Sequence, residues 1–86
     1  MTETRENRLK RLAMRSMRRG IKEMDIILSA YARDQLDGMS DRDLDTYDGV
    51  LAENDQDLYS WVTGQTVPPD NLKEMIGRIA RHAGAQ

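Results

Sequence analysis

The residues of this 86-residue chain best placed to do chemistry are Arg18-Arg19-Gly20-Ile21-Lys22-Glu23-Met24-Asp25. The stretch sets a guanidinium, a bare backbone and carboxylates within a few residues of one another. Gly20 has no Cβ, so another backbone can approach closely there. Arg19 and Glu23 are four residues apart and would share a face on a continuous helix. A charged notch beside bare backbone suits docking onto another protein better than bond-making. The plainer account is that Gly20 only stops a helix and that Arg19–Glu23 is a surface pair worth about 0.3–0.5 kcal/mol. On spacing alone the plainer account is preferred.

Other candidate chemistry is thinner. His82 is the only histidine; it sits near the C-terminus beside Arg81, with no cysteine or serine partner at a recognisable spacing. Asp41-x-Asp43-x-Asp45 mimics the opening of a calcium loop. Such a loop needs Gly at its sixth position and Glu at its twelfth, where this chain has Thr46 and Ala52. An acidic helix start accounts for the three aspartates better. Arg5, Arg8, Lys10, Arg11, Arg15, Arg18, Arg19 and Lys22 make a basic N-terminal segment that could track phosphates. No aromatic is interleaved with them, and pairing with the chain's own acidic helices explains them as well.

Composition sets the frame for these residues. Residues 1–24 carry a balance of +5, residues 25–60 one of −8, and the remainder +1, for a net charge of −2. Such a dipolar chain can be steered toward a partner of mixed charge. With a pI near 5.3, wholesale nucleic-acid binding is disfavoured. There is no cysteine, so disulfide and thiolate chemistry are excluded, in keeping with a reducing cytoplasm. The longest aliphatic run, Ile26-Ile27-Leu28, is far short of the ~20 residues of a membrane span. No apolar leader stands at the N-terminus, so neither a secretory signal nor membrane insertion is expected.

The elements that must position the notch are helical throughout. Helix one is expected from about Thr4 to Met17, with Leu9, Leu12, Ala13 and Ser16 as its stripe. A turn follows near Arg18 to Gly20. Helix two spans about Ile21 to Leu36, with Ile21, Met24, Leu28, Tyr31 and Ala32 inward and Ile27 at the margin; Asp37-Gly38 stops it. Ser40 caps helix three, with Asp43 completing a capping-box-like pattern, and Leu44, Tyr47, Val50 and Leu51 face inward. Helix four covers about Gln56 to Thr63, its stripe Leu58, Trp61 and Val62, and Gly64 suits the position after its end. Helix five covers about Asn71 to His82, capped by Asp70, with Leu72, Met75, Ile76 and Ile79 inward. The expected fold is all-α, a single small five-helix bundle over residues 1–86, frayed at about 1–4 and 83–86. Trp61 is expected to anchor helix four.

Two segments carry a family resemblance. Arg18-Arg19-Gly20-Ile21-Lys22-Glu23-Met24-Asp25-Ile26-Ile27-Leu28 looks like an R-G-x-x-E element with its trailing Asp and Leu. Asp55-Gln56-Asp57-Leu58-Tyr59-Ser60-Trp61 is similar to an acidic-Leu-aromatic-x-Trp segment of a fourth helix. In this order and at this length, the chain resembles the SdhE-type factors that assemble succinate dehydrogenase in bacteria and mitochondria. The likeness covers roughly residues 8–76. Family members often carry Trp or Tyr in helix one, where this chain has Met14 and Met17 nearby, and a common Phe is Tyr31 here.

The resemblance implies a five-helix bundle and a non-enzymatic role. That role is to promote covalent attachment of FAD to the flavoprotein subunit of succinate dehydrogenase, and in some species fumarate reductase. It implies Arg19, Gly20, Glu23 and Asp25 as client-binding residues, and Trp61 and Leu58 as supporting core. The nucleophile and the flavin belong to client and cofactor. With few aromatics and no Gly-rich phosphate loop, the chain is not expected to hold FAD tightly itself. The expected setting is a monomer in the bacterial cytoplasm. The competing reading is a small regulatory or antitoxin-like binding protein working through its basic N-terminal helix.

Overall fold

Short amphipathic segments punctuated by capping residues dictate the architecture. The computed structural model describes residues 3–84. It contains helices α1 (Arg5–Arg15), α2 (Lys22–Gln35), α3 (Asp41–Leu51), α4 (Asp55–Val62) and α5 (Asp70–Gly84). A single 3-10 turn, Leu36–Gly38, follows α2. There is no strand among the described residues, so the five-helix all-α expectation holds. The outermost positions expected to fray, residues 1–2 and 85–86, lie outside the described residues.

The caps explain the boundaries. Thr4 Oγ1 accepts from the Asn7 amide at 3.1 Å, Ser40 Oγ from the Asp43 amide at 3.1 Å, and Asn54 Oδ1 from the Gln56 amide at 2.7 Å. Each satisfies a donor that the first helical turn leaves open. Gly64 takes a φ of +81° just past α4, the left-handed conformation that ends helices without a Cβ penalty. Two local expectations need correction. Asp70 is the first residue of α5 rather than the residue before it, a shift within ordinary boundary scatter. Asp43 does not close a capping box; its Oδ2 instead accepts from Arg78 Nη1 of α5 at 2.9 Å, because the short aspartate faces the neighbouring helix.

The inward stripes meet in one core. Leu12, Met24, Leu28, Leu44, Tyr47, Val50, Leu58, Met75 and Ile79 are all fully enclosed. Burying side chains of this kind stabilises by roughly 1.5–3 kcal/mol each. Tyr31 and Tyr47 stack at a tilt with centroids 5.8 Å apart, and the Tyr31 hydroxyl reaches Met75 Sδ at 3.6 Å. The anchor of α4 is Leu58, fully buried, whereas Trp61 is half-buried and packs on the rim of the core. A ring as large as indole is seldom enclosed completely in a small domain.

The charge asymmetry resolves into a ladder. Arg5 pairs with Asp41 at 3.1 Å, Arg8 with Asp45, Arg11 with Asp48 at 3.0 Å and Arg15 with Asp48 at 2.6 Å. Pairing in ascending order on both helices means that α1 runs parallel to α3. Arg11 also reaches Glu3, with its Nε at 2.9 Å. Hydrogen bonding by Arg11 holds the Asp48 carboxyl below its ordinary range, with Arg15 adding attraction.

Asp48 therefore offers a direct test. A depressed folded-state pKa means its contribution is complete above the ordinary value of about 3.9 and fades as pH falls below it. Asp48→Asn should cost about 1 kcal/mol at pH 6, since each partly exposed pair is worth roughly 0.2–1 kcal/mol. That lowers the melting temperature by about 4–8 °C for a domain of this size. Urea titrations from pH 6 to pH 3 should show the gap to wild type narrowing; a gap that widens toward pH 3 would refute the assignment.

Candidate functional site

The turn between α1 and α2 is pinned from every side. Its first residue, Ser16, is fully buried. Ser16 Oγ donates to the Leu12 carbonyl at 2.8 Å and lies 2.7 Å from the Tyr47 hydroxyl. With the serine hydrogen on that carbonyl, the tyrosine donates and the serine accepts. Burial pushes the Tyr47 phenol up to about 12, against the opposing pull of the Ser16 bond. The Ser29 hydroxyl donates to Asp25 Oδ1 at 3.1 Å and lies 3.4 Å from the Ser16 carbonyl.

Arg18, not Gly20, carries the left-handed backbone, with φ of 58°. For a residue with a Cβ this conformation costs roughly 1–2 kcal/mol. Asp25 Oδ1 accepts the Arg18 amide at 3.1 Å and helps to hold it there.

Arg19 turns inward. Its Nε donates to Asp55 Oδ1 at 2.8 Å, and its Nη1 to the Arg15 and Leu51 carbonyls at 2.9 and 3.2 Å. Nη2 donates to the Glu53 carbonyl at 3.3 Å. Arg15 and Leu51 are the last residues of α1 and α3, where carbonyls lack intrahelical donors and carry the negative end of the helix dipole. One guanidinium thus closes two helix ends. Its side chain is only 12% exposed.

Gly20 shows why glycine stands there. Its amide donates to Asp55 Oδ2 at 2.6 Å. A Cβ would lie 3.1 Å from that oxygen, so a larger residue would push the carboxylate away. The bare backbone is approached by the chain's own α4.

What remains outward is a different set. Gly20, Arg18, Lys22 and Glu23 are exposed, Glu23 in the first turn of α2. Met14 and Met17 before the turn and Ile26 after it are exposed too, three of the four large exposed hydrophobics among the described residues. The structure thus brings Arg19 and Gly20 together through Asp55, places Asp25 beneath the turn, and leaves Glu23 on the surface. The sequence offers Asp55 only as the first residue of the acidic-Leu-aromatic-x-Trp segment, not as the partner of Arg19 and Gly20.

The other candidates are drawn into the bundle. Asp41, Asp43 and Asp45 each pair with a different arginine, Arg5, Arg78 and Arg8, and so point apart. No group of three or more His, Asp or Glu that could hold a metal occurs among the described residues. His82 lies within α5, edge-on to Tyr31 at 5.3 Å, with Nε2 2.8 Å from Asp34 Oδ2. A polar groove of about 510 Å³ between α3 and α5 includes Arg42, Thr46 and Arg78. Arg78 is neutralised there by Asp43 and Glu74. The basic residues Arg5, Arg8, Arg11, Arg15 and Arg19 all face aspartates of α3 or α4, which leaves little of the N-terminal helix for phosphates. No described helix is long and apolar enough to cross a membrane.

The chain is a small all-helical domain, and its class is that of an assembly-factor family. The chain belongs to the family described as flavinator of succinate dehydrogenase, whose model matches residues 10–83. It is 45% identical over 75 residues to the mitochondrial succinate dehydrogenase assembly factor 2 of Meyerozyma guilliermondii, covering 84% of this chain and 56% of that one. Its likeness to the corresponding Schizosaccharomyces pombe protein is 41% over 86 residues, 98% of this chain and 62% of that one. With the FAD assembly factor SdhE of Legionella pneumophila it shares 31% over 74 residues, 86% of this chain and 94% of that protein. The chain thus spans somewhat more than half of those two fungal relatives and nearly all of the bacterial one.

The Ser16–Tyr47 contact should be asymmetric to mutation. Ser16→Ala leaves the enclosed Tyr47 hydroxyl without its acceptor and should cost about 1–3 kcal/mol; Tyr47→Phe leaves Ser16 bonded to Leu12 and should cost about 0.5–1.5 kcal/mol. Urea midpoints for both variants decide it, and a costlier Tyr47→Phe would reverse the donor assignment.

Proposed function

We propose that this chain promotes covalent attachment of FAD to the flavoprotein subunit of succinate dehydrogenase, and of fumarate reductase where that enzyme is made. It would do so by binding the flavoprotein through the turn between α1 and α2. Family membership supports the client and the reaction. The observation that supports the surface is the division of labour at the turn: Arg19 is committed to the bundle, whereas Gly20 and Glu23 are presented. Glu23 is the charged contact in this reading, Gly20 the point of close approach, and Arg19 and Asp25 shape the turn from beneath.

The chemistry belongs to the client. A client histidine and the flavin itself supply the reacting atoms. A helper accelerates the attachment only as far as it binds the competent client conformation more tightly than the others. Each tenfold preference shifts that population by about 1.4 kcal/mol. No FAD site of its own enters this mechanism. A one-to-one complex with a monomeric factor in a bacterial cytoplasm completes this reading; both a bacterial factor and mitochondrial ones are among the relatives.

The client flavoprotein should be co-expressed with wild-type factor, Glu23→Ala or Gly20→Arg, and covalent flavin scored by in-gel fluorescence. Both variants should keep helical circular dichroism and lose most flavinylation. Wild-type levels of covalent flavin with folded variants would move the contact elsewhere on the bundle.

A further inference from the structure

The carboxylate of Asp55 serves two donors of one turn from a different helix. Oδ2 accepts the Gly20 amide at 2.6 Å, Oδ1 accepts Arg19 Nε at 2.8 Å, and the side chain is only 17% exposed. The α2 start has no side-chain cap of its own; Ile21 occupies that position. Asp55 therefore ties down from α4 the two residues that lead into α2, Arg19 and Gly20, just before the N-cap position. The 3.1 Å clearance for a Cβ at Gly20 shows how closely carboxylate and backbone are matched.

We propose that Asp55 is the positioning residue of the client-docking turn: it holds Gly20 and the Glu23 end of α2 in the shape that the flavoprotein meets. This rests on the docking reading above. A loop already ordered in its bound shape loses less freedom on association. Releasing Gly20 should therefore weaken binding even though Asp55 touches no client atom. Asp55→Asn keeps one acceptor oxygen, which the charged Arg19 donor claims, and sets an NH2 against the Gly20 amide, so the Gly20 bond is lost while volume is kept. Asp55→Glu keeps charge and both acceptors but displaces them by a methylene.

The test pairs client affinity, by titration with the purified flavoprotein subunit, with amide exchange followed by NMR. In Asp55→Asn the Gly20 amide should exchange at least tenfold faster, the core amides of Leu28 and Ile79 should stay protected, and client affinity should fall about tenfold. Asp55→Glu should recover part of both. Glu23→Ala should weaken binding with Gly20 exchange unchanged, which separates touching the client from shaping the turn. If wild-type factor does not bind the flavoprotein, the docking reading fails. If wild type binds and a folded Asp55→Asn with a freed Gly20 binds equally well, the positioning role is overturned. Unchanged Gly20 exchange in that variant overturns it too. So does loss of core protection in both Asp55 variants, which would make Asp55 a support of the whole bundle.

Discussion

The structure turns on one guanidinium. Arg19 gathers the carbonyl ends of α1 and α3, the chain just after α3, and the first-turn carboxylate of α4. Helix ends are expensive to leave unpaired, because each terminal turn carries polar groups with no partner of its own. Here two such ends converge, and a single planar cation with five donors meets them together. Lysine would not substitute, since a point charge on a flexible stem lacks the fixed fork that reaches four acceptors. Removing the cation would leave those carbonyls and a largely shielded carboxylate facing one another.

From that junction the rest follows. The turn is short because Arg19 draws its middle inward. Gly20 is glycine because Asp55 must then lie against its amide. Asp25 and Ser29, one helical turn apart on α2, reach back to Arg18 and Ser16, so the outgoing helix grips the incoming one. What faces outward is fixed by subtraction: backbone at Gly20, the Glu23 carboxylate, and a fringe of methionine and isoleucine. Methionine suits such a fringe, being flexible and polarisable. The domain builds the shape of this turn from its own helix termini.

How much of this was legible in the sequence depended on range. The stripes Leu44, Tyr47, Val50, Leu51 and Leu72, Met75, Ile76, Ile79 could be read because helical periodicity is local. So could the Ser40 cap and Gly64. The fate of Arg19 was not legible: Asp55 lies 36 residues away, and the carbonyls it binds leave no mark in a sequence. Spacing offered Glu23 as its neighbour, and the inward pull of Asp55 and the helix ends prevailed. The left-handed residue was equally hidden, since Gly20 advertises that conformation and Arg18 adopts it. The resemblance located the family; only the folded structure could divide residues 18–25 into those held inward and those left exposed.

The parallel ladder between α1 and α3 has one further consequence. Its rungs are alike, so sliding α1 by one turn, about 5.4 Å, would offer Arg8 to Asp41, Arg11 to Asp45 and Arg15 to Asp48, three pairs in place of the four present. Like charges repeated at regular intervals give adhesion without address. The unrepeated contacts tell the helix where to halt: Leu12 enclosed in the core, Arg5 on the Met39 carbonyl, and Ser16 against Tyr47, so a buried leucine and two hydroxyl groups serve as index marks for the first helix.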